Sequence, residues 1–369
     1  RILTLFDRVK HQYNDVIEVS DSILLDSRSV KYIVGELQLY SLKDSSRDAV
    51  GDAFEIFIGP SLKGAQGQFF TPRNVVNMVI RMIDPGIDER ILDPACGSGG
   101  FLVESLRYVW NKLEEKAADL GWPESEIEAE KQRIAIKNLR GIDKDSFLSK
   151  VAKAYLAILG DGRGGIHCEN SLESFRNWSA KTFEDIQPES FDVIVTNPPF
   201  GKKLSIDSTE ILELYDLGHR WNSVPGGVFE KGALADKQPP QLLFIERCFQ
   251  MLRPGGRMGI VLLESIFGMP KYQYVVNYIR LQAKINAIVT LPEDLFQPHT
   301  HAKCCVLICQ KYKKNESYSS CDNYDIFMSD VKWCGHDSRG NITYSYTSTG
   351  EKVVLDEIPL VADRYLEMR

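Results

Sequence analysis

Between about residue 65 and residue 312, short apolar segments of the chain alternate with longer amphipathic ones, and this alternation constrains the fold more than any other feature. The clearest apolar segments lie at Ile91-Leu92, Phe191–Thr196 and Cys305–Ile308. Such alternation is typical of a mainly parallel sheet covered by helices on both faces. With 369 residues, 43% of them hydrophobic, the chain can bury one large core. The sequence therefore predicts an α/β fold with a Rossmann-like, doubly wound sheet.

The segment Asn197-Pro198-Pro199-Phe200 follows the apolar run Phe191–Thr196 and predicts a rigid polar clamp beside an aromatic ring. The side-chain oxygen of Asn197 and the carbonyl oxygen of Pro198 can each accept one N–H hydrogen bond. Because both prolines restrict the backbone, the carbonyl direction is set before a substrate arrives. Two such acceptors favour the pyramidal, nucleophilic form of a planar exocyclic amine, and Phe200 offers a face for a base. The pattern indicates methylation of a planar amine; an ordinary proline-rich turn is the alternative.

A glycine-rich turn follows the first of these strands, in the segment from Ile91 to Leu102. Its glycines allow the backbone to approach a ligand closely. The spacing Gly-x-Gly-Gly is not the dinucleotide fingerprint, and Asp93 before the turn would repel a pyrophosphate but attract an ammonium group. S-adenosylmethionine, which carries a cationic amino-acid end, fits this turn better. Cys96 within the turn is expected to be a packed thiol, since no histidine lies in the motif.

Two further strand ends carry polar residues. Asp143 ends a short strand that begins near Leu139, where a doubly wound fold places a carboxylate for ribose hydroxyls. Asn170 follows a third strand and lies where an adenine amine could be bound. Either residue, taken alone, could equally be a solvent-exposed residue at a strand end. The interpretation therefore rests on the order in which the motifs occur along the chain.

In this order the motifs resemble those of the adenine-specific DNA methyltransferases, most closely the modification subunit of type I restriction–modification systems. The resemblance covers about residues 50 to 312. Besides the two motifs above, it includes the following segments: Gly67-Gln68-Phe69-Phe70-Thr71-Pro72-Arg73, Gln241-Leu242-Leu243-Phe244-Ile245-Glu246, Leu252-Arg253-Pro254-Gly255-Gly256-Arg257, Leu291-Pro292-Glu293-Asp294-Leu295-Phe296, and Thr300 with Lys303. The chain departs from the family at Leu263-Glu264-Ser265, where Pro-Asp/Glu-Gly is common, so no role is carried over to that loop.

The resemblance implies an S-adenosylmethionine-dependent methyltransferase fold and methyl transfer to the exocyclic amine of adenine in DNA. It implies catalytic roles for Asn197, Pro198, Pro199 and Phe200, and stacking of the base by Phe200 and Phe296. The residues expected to bind the cofactor are Phe69, Thr71, Pro72, Asp93, Ala95, Gly97, Ser98, Gly99, Asp143, Asn170 and Asn197. The expected partners are DNA, a DNA-specificity subunit and, as a further option, a restriction (nuclease or translocase) subunit.

The net charge of −7 bears on how DNA would be held. A protein that grips duplex DNA alone is expected to carry a basic surface, because phosphate neutralisation dominates affinity. The acidic charge therefore favours DNA binding mainly through a partner subunit or a further domain. Lys202 and Lys203, directly after Phe200, are candidates for a local basic rim, and solvated lysines are the alternative.

The chain is expected to have three parts. Residues 1–64 show helical spacing and resemble the end of a helical region that began upstream; residues 65–312 form the methyltransferase domain; residues 313–369 form a small β-rich extension. Within the second part, residues 114–137 predict an inserted helical hairpin. Residues 201–240 predict a long loop beside the active site that orders on DNA.

Neither a membrane-spanning run nor a secretory signal is visible in the sequence. The eight cysteines show no Cys-x-x-Cys pairing and the six histidines no metal spacing, so reduced thiols, no metal and a cytoplasmic location are expected. His299 and His301 are interpreted as a solvated pair.

Two alternatives to the DNA reaction remain at this point. A methyltransferase acting on RNA or on a protein glutamine would share the Asn-Pro-Pro motif, because those amines pose the same electronic problem. The segment ahead of the glycine turn, and Phe rather than Tyr at position 200, weigh against it. The other alternative is a non-catalytic assembly module of a restriction complex, which the intact glycine turn and Asn197 disfavour.

Overall fold

The structure is a computed structural model that describes residues 2–39 apart from 15 and 18, and residues 71–369 apart from 160–161, 202–203, 298–299 and 319–323. Seven residues named above, Gly67, Gln68, Phe69, Phe70, Lys202, Lys203 and His299, lie outside the described residues. The roles predicted for them stay predictions.

An eight-stranded sheet forms the centre of the molecule, in the order β10-β8-β9-β7-β4-β1-β2-β3. Its strands are β1 (Ile91–Asp93), β2 (Leu139–Asp143), β3 (Ile166–Cys168), β4 (Phe191–Thr196), β7 (Leu252–Leu263), β8 (Ala283–Thr290), β9 (Cys304–Lys311) and β10 (Phe327–Asp330). All neighbouring strands pair in parallel except β9, which is antiparallel to β7 and β8. The predicted mainly parallel, doubly wound sheet is confirmed.

Helices cover both faces of this sheet. The helices of the described residues are α1 (Ile2–Gln12), α2 (Ser27–Leu37), α3 (Arg73–Ile83), α4 (Gly100–Leu120), α5 (Glu124–Asn138), α6 (Ser146–Leu159), α7 (Ala180–Asp185), α8 (Thr209–Leu212), α9 (Pro240–Met251), α10 (Ser265–Gly268), α11 (Gln273–Gln282) and α12 (Ile358–Glu367). Along β4, Val193 and Val195 pack into a core with α3, α4 and α6, whereas Ile194 packs into a second core with α9 and α11. Because successive strand residues point to opposite faces, both faces need apolar cover, which explains the continuous apolar strands.

The strand order places a crevice at the carboxyl ends of β1 and β4. From β1 the chain proceeds to β2 and β3 on one side, and then returns to β4 on the other. The helices that follow β1 and β4 therefore leave on opposite sides, and this divergence opens a ligand site at the strand ends. The glycine turn after β1 and the Asn197 motif after β4 both lie at this edge.

The predictions of a helical hairpin at residues 114–137 and of a long loop at residues 201–240 have different outcomes. The helical hairpin is confirmed, since α4 and α5 are joined by the turn at Gly121–Pro123. The long loop predicted for residues 201–240 is wrong, because the described part of this segment contains α8 and an antiparallel hairpin of β5 (His219–Val224) and β6 (Val228–Leu234). Gly226 and Gly227 make the hairpin turn with φ of 91° and 74°, a conformation that glycine adopts without strain.

The carboxyl-terminal part was predicted as a small β-rich extension, and its described residues contain three strands and one helix. Strands β11 (Tyr344–Tyr346) and β12 (Lys352–Val354) form a separate hairpin, whereas β10 adds to the central sheet beside β8. Helix α12 buries Val361 and Tyr365 in the same core as α3. The predicted domain bounds stay a prediction, but this segment shares the core of the central sheet.

At the other end of the chain, α1 and α2 confirm the helical spacing seen in the sequence, and neither contains a buried residue. Among the described helices, none is both long and apolar enough to cross a membrane.

Candidate functional site

A cavity of about 200 Å³ lies at the carboxyl ends of β1, β2, β3 and β4. Eight of the residues predicted for the site line it: Ala95, Gly97, Asp143, Asn170, Asn197, Pro198, Pro199 and Phe200. They come from four separate strand ends, and the parallel sheet brings all of these ends to one edge. The grouping of the predicted cofactor and catalytic residues around one space is therefore a property of the fold.

The glycine turn forms one wall of this cavity. Gly97 has φ of +52°, and a Cβ added there would point into open space on the cavity side. Its N–H donates to the Asp143 carboxylate at 2.9 Å, which joins the turn to the end of β2. Gly99 has φ of +92°, and its Cα lies so close to α6 that an added Cβ would be 3.3 Å from Ala152. The turn thus needs glycine at Gly97 for conformation and ligand space, and at Gly99 for conformation and packing.

Asp93 lies behind this turn, not on the cavity wall. Its carboxyl group is only 1% exposed and accepts a hydrogen bond of 3.0 Å from the Ala95 N–H. Burial raises the pKa of Asp93 to about 7, although that hydrogen bond favours the ionised form. In this position Asp93 stabilises the conformation of the glycine turn through its hydrogen bond with Ala95. Direct pairing of Asp93 with an ammonium group stays a prediction.

The buried position of Asp93 gives a pH prediction. The folded-state pKa of about 7 exceeds the model-peptide value of 3.8, so the contribution of Asp93 to stability is fully present below about pH 4. It is lost as the pH rises through 7. Relative to Asp93→Asn, which cannot ionise, the free energy of unfolding of the wild-type chain should fall by up to about 4 kcal/mol between pH 4 and pH 8.

Urea unfolding of both proteins across this pH range measures the difference. Asp119→Asn, at an exposed position on α4, is the control and should follow the wild-type profile. Parallel pH profiles for wild type and Asp93→Asn would show that the carboxyl group is not held in the protonated form.

Asn197 lies at the carboxyl end of β4, where its side chain is held in one orientation. The Nδ2 group donates to the Thr71 hydroxyl at 2.9 Å, so the Oδ1 atom faces the other way. This oxygen is buried, and no hydrogen-bond donor reaches it within the described ranges of the chain. A buried carbonyl oxygen without a donor costs free energy, which a ligand N–H would recover. Thr71, predicted as a cofactor residue, therefore contacts the clamp itself.

Phe200 and Phe296 are both buried and contact each other edge to face. Their ring centroids are 5.5 Å apart and the ring planes are inclined by 72°. A base stacked between two rings needs about 7 Å between the ring planes, twice the usual contact distance of 3.5 Å. The rings must therefore separate before a base can stack on both, and the predicted base sandwich stays a prediction.

Asn170 and Asp143 form the wall opposite the clamp. Asn170 donates from Nδ2 to Glu173 at 3.1 Å and accepts from the Leu172 N–H at 3.1 Å. Asp143 accepts from the Asp145 N–H at 2.9 Å, in addition to Gly97. Burial raises the pKa of Asp143. Both residues line the cavity, and each of their side-chain oxygens has a second lone pair that can accept a further hydrogen bond.

Six of the described residues predicted for the site do not line the cavity: Thr71, Pro72, Asp93, Ser98, Gly99 and Phe296. Pro72 precedes α3 as its N-cap residue. Ser98 belongs to the glycine turn, and Phe296 lies behind Phe200 at the end of a 3₁₀-helix, Glu293–Phe296.

Sequence reasoning missed most of the apolar wall. The further lining residues are Pro94, Lys144, Leu148, Ser171, Leu172, Leu204, Ser205, Ile206, Pro240 and Phe244. Three of them, Pro94, Lys144 and Ser171, are next in sequence to a residue predicted at a strand end, so their neighbours in sequence could have indicated them. The contribution of residues 204–206 had no such signal, because that segment was interpreted as an irregular loop.

No group of three histidine, cysteine, aspartate or glutamate side chains could hold a metal ion in the part of the chain that the structure describes.

Comparison with known proteins identifies the family. The profile of the family described as N-6 DNA Methylase matches residues 45–341, which is most of the chain. The chain belongs to the N-6 DNA methylase family.

Two relatives illustrate how similar this chain is to type I methylase subunits in sequence. The methylase subunit of the type I restriction enzyme EcoEI from Escherichia coli is 24% identical over 89% of the chain and 63% of its own length. The methylase subunit of MjaVII from Methanocaldococcus jannaschii is 27% identical over 86% of the chain and 50% of its own length. The chain thus spans about half to two thirds of the length of these relatives.

The fold is also found in solved structures. A type I restriction–modification methyltransferase subunit from Streptococcus thermophilus aligns with a TM-score of 0.62 at 18% identity, over 93% of the chain and 62% of that protein. The S-adenosylmethionine-dependent methyltransferase fold expected from the sequence is confirmed.

Proposed function

We propose that this chain transfers a methyl group from S-adenosylmethionine to the N6 amine of adenine in DNA, as the modification subunit of a type I restriction–modification system. The observation that carries the proposal is the Asn197 Oδ1 atom, a buried acceptor left without a described donor beside the rigid Pro198-Pro199 backbone. A flipped adenine would supply the missing N–H.

The cavity fits S-adenosylmethionine by its own chemistry. Gly97 leaves open space where a side chain would intrude, and Asp143 presents a carboxylate at the strand end where ribose hydroxyls are held in this fold. Asn170, Leu148 and Phe244 also line the cavity and would hold the adenine end of the cofactor through one polar and two apolar side chains. When bound, the cofactor supplies an electrophilic methyl group on a sulfonium leaving group.

The residues of the chain contribute mainly alignment and electrostatics. The Asn197 oxygen and the Pro198 carbonyl accept the two amine hydrogens, which favours the pyramidal nitrogen that develops in the transition state. Thr71 holds the Asn197 amide so that its oxygen, not its nitrogen, faces the substrate. No strong general base is required, because holding nucleophile and methyl group in line supplies much of the rate.

The partners and location belong to the same proposal. The relatives are named as methylase subunits of type I restriction enzymes, and the chain carries a net charge of −7. A DNA-specificity subunit would supply the phosphate contacts that an acidic chain lacks, and a restriction subunit would complete the complex. A chromosomal DNA substrate implies a cytoplasmic location.

A methylation assay with labelled S-adenosylmethionine tests the proposal. The chain, with its specificity subunit, should label unmethylated bacterial genomic DNA, and digestion followed by mass spectrometry should identify N6-methyladenine. RNA and glutamine-containing protein substrates are the controls and should remain unlabelled. Label in RNA or protein alone would assign another substrate class, and no label in any substrate would indicate a non-catalytic assembly module.

A further inference from the structure

A buried arginine outside the cavity, Arg247 on α9, is the centre of a hydrogen-bond network that the mechanism above does not use. Its side chain is 2% exposed. The Nε group donates to the Tyr215 hydroxyl at 2.8 Å, and Nη2 donates to the main-chain carbonyl of Glu173 at 2.8 Å. Nη2 also lies 3.5 Å from the carbonyl oxygen of Leu172, to which the Tyr215 hydroxyl donates at 2.9 Å.

The charge of Arg247 is held without a carboxylate. Among the described residues, no acidic side chain forms an ion pair with its guanidinium, which instead lies 4.3 Å from the ring centroid of Phe175 and 5.1 Å from that of Tyr215. Burying a cation is costly, and a methionine of similar length would pack the same space. The guanidinium is therefore not explained by packing alone. What it adds is directed hydrogen bonds to main-chain oxygens.

Those oxygens belong to the loop that lines the cavity after β3. Asn170, Ser171 and Leu172 all contribute to the cavity wall. The loop is fixed at other points as well, since Trp178 donates to the Asn170 carbonyl at 3.0 Å and the Ser171 hydroxyl donates to the Pro94 carbonyl. Arg247 and Tyr215 fix its far end.

The same network reaches the catalytic side of the cavity. Tyr215 belongs to the segment that follows Phe200 and supplies Leu204 and Ile206 to the wall. Helix α9, which carries Arg247, supplies Pro240 and Phe244. One buried side chain thus joins three of the segments that enclose the cavity.

We propose that Arg247, together with Tyr215, is a positioning residue that holds the loop of residues 170–173 for the adenosine end of S-adenosylmethionine. The inference rests on the proposed function, because it assigns the β3 loop to that end of the cofactor. Neither residue contacts the ligand itself. Loss of the guanidinium should release the loop and weaken cofactor binding while Asn197 and Pro198 keep their geometry.

Calorimetry and steady-state kinetics on the wild-type chain with its specificity subunit test this. Arg247→Met should raise the Kd and the KM for S-adenosylmethionine about tenfold, with kcat at saturating cofactor within about threefold of wild type. Tyr215→Phe, which removes one hydroxyl and keeps the ring, should raise the Kd about threefold. Arg247→Lys should fall between wild type and Arg247→Met, because an ammonium group cannot reproduce the planar set of donors.

The affinity for 5′-deoxy-5′-methylthioadenosine, which has the adenosine end but no amino-acid end, should fall by the same factor. The matched control is Arg253→Met, which removes a partly exposed arginine paired with Asp192 at 2.5 Å and should change neither Kd nor kcat.

The outcomes separate this inference from the proposed function. Unchanged cofactor affinity in a folded Arg247→Met or Tyr215→Phe variant, or a loss confined to kcat, would overturn the positioning role and leave the methyltransferase proposal intact. If Arg247→Met does not fold, the Tyr215→Phe affinities decide. A wild-type chain that binds no S-adenosylmethionine would overturn both.

Discussion

Asn197→Ala should reduce methyl transfer about a hundred- to a thousandfold while the affinity for S-adenosylmethionine changes by no more than about threefold. The Oδ1 atom is buried and without a described donor, so under the proposed function it would accept a hydrogen bond from an N–H group that arrives with the substrate. This interaction strengthens as the amine nitrogen becomes pyramidal, so its loss lowers the rate more than it lowers binding. Single-turnover methylation and calorimetry on the same preparation measure the two effects.

Thr71→Val is the matched control for this prediction. It keeps Asn197 but removes the hydroxyl that accepts from the Asn197 Nδ2 group at 2.9 Å. The amide is then free to rotate, so the rate should fall by a smaller factor than in Asn197→Ala. If Asn197→Ala lowered the rate and the cofactor affinity equally, Asn197 would be a structural residue and the clamp mechanism would be wrong.

The sequence predicts the residues at the strand ends better than any other part of the site. Asn197, Asp143 and Asn170 each follow a short apolar strand, and parallel strands bring such positions together whatever the helices do. The role of Asp93 was harder to predict, because a carboxylate before a glycine turn can face either the ligand or the turn. In the structure the Asp93 carboxyl group accepts a hydrogen bond from the Ala95 N–H within the turn.

Long-range packing explains what could not be predicted. Arg247 lies in a helix, where a charged residue usually indicates the solvent face. Its burial depends on ring contacts and hydrogen bonds from Phe175, Tyr215 and the Glu173 carbonyl, which are distant from it in sequence. The contact between Phe200 and Phe296 likewise joins residues from distant segments. By contrast, the hairpin of β5 and β6 had a local signal in Gly226-Gly227 that could have been used.

The largest expected effect is the increase in affinity for DNA when a specificity subunit binds the chain. Alone, the chain is expected to bind duplex DNA only in the micromolar range or weaker, without sequence preference, because a net charge of −7 gives little phosphate neutralisation. With the subunit, affinity for the recognition sequence should increase by about a thousandfold or more at physiological salt. The dependence of affinity on salt concentration should also become steeper, since each added phosphate contact releases counterions.

Gel shifts of the chain, the specificity subunit and their complex over a salt series measure these changes. The complex formed with Asn197→Ala is the control: it should keep the tight, site-selective binding, because the clamp acts on one flipped base and the phosphate contacts lie elsewhere. This variant separates recognition from chemistry on a single DNA. If the chain alone bound one duplex sequence tightly at physiological salt, it would carry its own recognition surface, and the proposal of a modification subunit would give way to that of a self-sufficient methyltransferase.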